Sequence, residues 1–285
     1  MKKYLFVLVA AVIALVGCTE QQFIEDGSAN KVPSANENGF VALIEQARWG
    51  DGQAFLKLAD CYRDGIGVKK DFVGMLGMVS QADEFGSIRR MEDYVYELPE
   101  GSEFRMICDA IEKLDARQFD EAESISEQLI AIGSVDGYAM KGGVATERGD
   151  TLAGQRLVRE AASHGSNLAK LLLCMSTWSG KRTLDVEKLK ALSNEIPLIN
   201  ALLAQVYMGN YENQLDESQA AIYLLEADKH ACLDRHGANW LLNHHRFVHK
   251  LPLTETDIQR LQKLASRPSL SSEIIGEPLD TVVVE

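Results

Sequence analysis

"ARWGDGQAFLKLADCYRDGIGVKKDFVGMLGMVSQADEFGS", residues 47–87, decides the fold. Ala54, Phe55, Leu58, Ala59, Cys61 and Tyr62 recur at the 3.6-residue period of a helix with one apolar face. "DGIGVKKD" then ends the pattern, because Gly65 and Gly67 favour left-handed backbone and would weaken a helix interior. Asp71 stands where it can cap a second helix, whose inner face is Phe72, Met75, Leu76, Val79 and Ala82. Gly50 and Gly86 mark the two corners of the unit, 36 positions apart. That is the length of one helix–turn–helix unit of a stacked array.

The unit resembles the Sel-one-like repeat of the tetratricopeptide-like superfamily. Ala47, Gly50, Ala54, Leu58, Tyr62, Gly65, Gly67, Val68, Asp71, Ala82 and Gly86 carry the resemblance, in the family's order. It implies an all-α, right-handed α-solenoid of stacked antiparallel helix pairs. It also implies a concave face, lined by the first helix of each pair, that assembles other proteins.

Further along the chain the units match only in part. Residues 40–48 read as a short capping helix. Ile88, Met91, Tyr94 and Val95 begin a further helix that Pro99 and Gly101 cut short. Helical pairs follow at 104–114 with 119–132 and at 135–147 with 152–164. The next are 167–178 with 186–193, a helix after Pro197 with 218–230, and 238–248 with 255–264. Arg148-Gly149-Asp150 reads as a tight turn ending in an N-cap, in preference to an integrin ligand. "HGSNLAKLLL" from His164 and "HGANWLLNHH" from His236 lie 72 residues apart, which suggests equivalent positions two units distant. Strand-like alternation is scarce, so pairs that cannot bury their faces alone must stack.

The first 17 residues read as a targeting segment. Lys2 and Lys3 precede an apolar run from Leu5 to Val16, too short to span a bilayer at about 20 residues per crossing. Leu15-Val16-Gly17-Cys18 resembles the lipobox of bacterial lipoproteins. The resemblance makes Cys18 the lipidated first residue of the mature chain, and Thr19 in place of Asp favours the outer membrane. Residues 18–38 are polar and turn-rich, the composition of a disordered tether. The solenoid is expected over 39–266, with a tail at 267–285.

Charge and chemistry narrow the function. The 285 residues carry 29 basic and 42 acidic side chains, a formal charge of −13. An acidic chain without a long basic run is a poor match for nucleic acid or for anionic lipid surfaces. Membrane contact is therefore expected only through the N-terminal lipid. Cys61, Cys108, Cys174 and Cys232 each sit in an apolar helical pattern, as reduced thiols in a core would. An even number in an oxidising compartment also admits disulfides. Their spacing fits no short metal-ligand pair.

Five of the six histidines fall between His230 and His249, and His245 and His249 share a helix face at metal-pair spacing. Arg235, Arg246 and Lys250 make that neighbourhood positive, so a solvated, pH-responsive face is expected in place of a metal site. Glu92, Asp93, Glu97, Glu100 and Glu103 straddle a loop and read as an acidic rim. No G-x-S-x-G, P-loop or dinucleotide fingerprint is present. No catalytic residue, cofactor or metal is expected. The expectation is a lipid-anchored envelope scaffold or adaptor that binds a protein or peptide. An envelope enzyme, or an enzyme regulator with a site in the groove, is the alternative. Lys57, Lys141 and Lys170 are the first-helix cations expected to face the partner.

Overall fold

A computed structural model describes residues 37–266 apart from 86, 88–90, 175–183, 185, 210–214 and 249–250. The leader with Cys18, nearly all of the tether, the tail, Gly86 and His249 lie outside the described residues. Fourteen helices make up the described fold. The deciding stretch holds α2 (Gly52–Asp64) and α3 (Phe72–Glu84), preceded by α1 (Glu37–Arg48).

Capping fixes where α2 and α3 begin and end. Asp51 accepts from the N–H groups of Gln53 and Ala54 to open α2, satisfying donors that have no partner within the helix. Gly65 closes it at φ 72°, donating its N–H to Cys61 O, and Gly67 follows at φ 71°. Asp71 accepts from Gly74 N to open α3. Phe55 of α2 stacks on Phe85, just past α3, with ring centroids 5.2 Å apart, which holds the two helices together at that end.

The chain continues through α4 (Met91–Glu97), α5 (Glu103–Asp115), α6 (Phe119–Ala131), α7 (Asp136–Glu147) and α8 (Thr151–Ser163). It ends in α9 (Asn167–Cys174), α10 (Val186–Leu192), α11 (Leu198–Tyr207), α12 (Glu217–Lys229), α13 (Arg235–Phe247) and α14 (Glu255–Ala265). Successive helices pack on one another as pairs. α5 also touches α7, and α7 touches α9, so the first helices of three consecutive pairs form a column, the repeat pattern of a stack. α7 and α8 approach closely, since a Cβ added to Gly154 would meet Gly142 O at 2.7 Å. The expected turn at Arg148-Gly149-Asp150 is present: Gly149 has φ 98° and Asp150 caps α8 by accepting from Ala153 N.

Two features depart from the sequence reading. The helix expected from Ala238 begins at Arg235, because Asp234 accepts from Gly237 N and starts α13 three residues earlier. Gly165 therefore lies in the turn before α9, at φ 95°, whereas Gly237 lies within the first turn of α13. The two His-Gly motifs are not structurally equivalent. Secondly, the chain closes on itself. α1 packs against α12, α3 packs against α9, and a single apolar core runs from Leu43 to Cys232.

Candidate interaction surfaces

The inner face built by the first helices of the later pairs is crossed by α3. Phe72 packs edge-on against Phe104 of α5 at 5.5 Å, and the Asp71 carboxylate is hydrogen-bonded by the Asn167 side chain at the start of α9. Gly77 faces Leu198 at the start of α11, and Glu84 Oε1 accepts from Arg235 N of α13 at 3.1 Å. The concave face expected to receive a partner is, along these contacts, covered by the chain's own helix. The reason is compositional: Phe72, Val73 and every residue from Met75 to Ala82 are buried, so α3 has no solvent face. Ser80 and Gln81 are enclosed as well. Gln81 is fully buried, and neither its amide nitrogen nor its oxygen has a hydrogen-bond partner.

A buried ion cluster joins the two ends of the described chain. Arg260 of α14 is forked onto Asp228 of α12 by two 2.5 Å hydrogen bonds, with side-chain exposures of 3% and 7%. Arg48, at the end of α1, reaches the same carboxylate at 3.0 Å. Asp257 lies 3.5 Å from Arg260 and 3.9 Å from Arg48. Two guanidinium groups thus share buried Asp228, with a second, partly exposed carboxylate beside them, in a geometry that satisfies charges otherwise costly to bury.

Two carboxyls are pushed well above the usual range. Burial raises Glu84 to about 8, and Asp234 beside it adds to the shift. Glu84 Oε2 is sealed from solvent and accepts no hydrogen bond. Burial raises Asp136 to about 6, partly offset by the hydrogen bond that the Ser166 hydroxyl donates. Sequence reading missed both residues, since nothing local distinguishes a carboxylate that distant helices enclose.

The expected cations are largely occupied. Lys141 pairs with Glu127 at 2.8 Å and Lys170 pairs with Glu195. Lys57 is half-buried. Of the acidic rim, Glu97 and Glu100 are exposed, whereas Glu103 pairs with Lys70 at 2.5 Å. Cys61, Cys108 and Cys232 form no disulfide among the described residues, and burial pushes the thiols of Cys108 and Cys232 up to about 12. Cys174 is buried.

The histidine segment differs from the expected solvated face. His244 is buried and stacks on Trp240, with centroids 4.6 Å apart. The half-buried His245 accepts from Leu251 N through Nδ1. Among the described residues no cluster of three metal-ligating side chains occurs.

A groove of about 830 Å³ runs between α13 and α14 at the end of the stack. Leu242, Phe247, Val248 and Ile258 supply its apolar part. Phe247 is 72% exposed, and the Arg246 guanidinium lies 5.0 Å from its ring centroid.

These packings define the class: an all-α helical repeat with its helices in consecutive pairs. A scan against protein-family models gives no match, and a search of curated proteins gives none. Among solved structures the chain is similar to a protective antigen present in uropathogenic Escherichia coli strains and displaying an SLR fold. The TM-score is 0.33 and the identity 15%, over 88% of this chain and 61% of that one, so this chain spans less than two thirds of that structure's length.

Proposed function

We propose that this chain is a lipid-anchored Sel-like repeat protein of the bacterial cell envelope that acts as a scaffold or adaptor for another protein. The observation that carries the reading is the stack of helix pairs, which leaves large apolar side chains such as Tyr96, Leu152, Ile222 and Phe247 exposed away from the face that α3 covers. Anchoring rests on Leu15-Val16-Gly17-Cys18 after a basic start and an apolar run. The lipid on Cys18 is the proposed attachment, at the outer membrane; no helix among the described residues is long and apolar enough to cross a membrane. The partner is a polypeptide, and no turnover of a small substrate is involved.

Two measurements test this. Cys18→Ala should abolish palmitate labelling and leave uncleaved precursor; unchanged labelling would sink the anchor. Full-length chain isolated from detergent-solubilised envelopes should retain a polypeptide at low salt and release it at high salt. Nothing retained at either salt, or a hydrolytic activity that follows the purified chain, would contradict the scaffold reading.

A further inference from the structure

The α13–α14 groove has a distinctive charge. Residues 235–254 contain no Asp or Glu, in a chain with 42 acidic residues. Several cations elsewhere are held by carboxylates, as in Arg48–Asp228, Lys70–Glu103 and Arg148–Glu123. Arg246, on the groove wall, makes no ion pair among the described residues and rests on Phe247 instead. Phe247 and Val248 are exposed side by side at 72% and 52%. An exposed aromatic beside an aliphatic residue and an unneutralised cation is a surface that an anionic, apolar partner would complete.

The spacing of the polar lining narrows the shape of that partner. Asn239 and Asn243 stand one helical turn apart on the groove wall, and Gln262 of α14 lines the same groove. Residues four apart on a helix are separated by about 6 Å along the axis. An extended peptide repeats its backbone groups on one edge every two residues, at about 6.7 Å. Each asparagine amide offers a donor and an acceptor, so the pair matches one edge of an extended chain. Alternate side chains of that peptide would then face Phe247, Val248 and Ile258, and the others would face Arg246.

We propose that this groove binds an extended peptide in which aliphatic side chains alternate with carboxylates, presented by the protein that the chain serves. The assignment rests on the scaffold reading and locates its contact at the end of the stack, away from the inner face that α3 covers.

The test is fluorescence anisotropy on the full chain in detergent, with a labelled peptide alternating Glu with Val and a counterpart alternating Lys with Val. The Glu peptide should bind at least about tenfold more tightly and weaken as salt rises. Arg246→Glu and Phe247→Ser should each reduce its affinity about tenfold. Both side chains are exposed, and unchanged melting would show that the variants fold. Equal affinity for the two peptides, or no effect of either variant, overturns the assignment. So does binding that emerges only when residues 267–285 are removed, since that gives the groove to the chain's own tail. Arg246-dependent sedimentation with phosphatidylglycerol vesicles, without peptide binding, overturns it in favour of a lipid surface. If the envelope partner still co-purifies with both variants, the groove assignment fails and the scaffold reading stands. If the Glu peptide binds but no envelope protein is retained by the unaltered chain, the groove stands and the scaffold reading fails.

Discussion

Gly65, Gly67, Asp51 and Asp71 show how a few residues set the first unit. Gly65, Gly67 and Asp71 were legible in the sequence, because the chemistry of caps and left-handed turns is local, and the structure adds Asp51 as the cap of α2. Gly65→Val puts a β-branched residue at φ 72° and should cost about 1–3 kcal/mol by denaturant melting. Gly154→Ala is different in kind, because its Cβ would meet Gly142 O at 2.7 Å and backbone cannot yield easily. Separation of α7 from α8 should cost about 1–3 kcal/mol, as overpacking does elsewhere.

Glu84 was invisible to sequence reading because α13 encloses it from 151 residues away. Its pKa is about 8 in the folded chain against an ordinary 4.5, so between those values the folded state holds a proton that the unfolded state releases. Stability should therefore fall as pH rises from about 4.5 to about 8, then level off. Glu84→Gln should remove most of that slope and gain on the order of a few kcal/mol at pH 8. A smaller slope of the same sign should persist below pH about 6, from Asp136. Melts across this range check both statements, and an unchanged slope in the variant would contradict the burial of Glu84.

Among the elements, α3 was legible as a helix and partly legible as a buried one. Periodicity gives its inner face, and the apolar Val73 and Met78 on its other sides carry the sign that it has no outside. What the sequence could not reveal is which later helices surround it, since Leu198 and Asn167 carry no local mark of that contact. Gln81 sits in this core with neither amide atom satisfied, a cost of about 1–3 kcal/mol. Gln81→Leu should therefore raise the melting temperature. A fall would mean that the amide makes a contact within the folded chain. For α13, the His-Gly repeat misplaced the start by three residues, because Asp234 is the stronger signal.

At the scale of the whole molecule, pairing and stacking followed from periodicity, and closure did not. Arg48, Asp228 and Arg260 are spread over three helices, and their convergence depends on curvature that no single unit encodes. Asp228→Ala would leave Arg260 buried without its main partner, and should cost about 3–5 kcal/mol. Replacing Asp228 and Arg260 together by Leu and Met should cost much less, since both fully enclosed charges are removed and the partly exposed Arg48 keeps Glu45 at 2.8 Å. Similar losses from the single and double changes would show that the cluster contributes only packing.

The inner face is crossed by α3, so a partner protein has to meet the outer surface or the end of the stack. The most direct measurement is in-cell photo-crosslinking of the full chain, with a photoreactive residue replacing Phe247, Leu152, Ile222 or Tyr96 in turn, all of them exposed. A discrete polypeptide adduct from position 247, weaker or absent from the other three, is the expected result. No polypeptide adduct from any of the four positions would contradict the scaffold role.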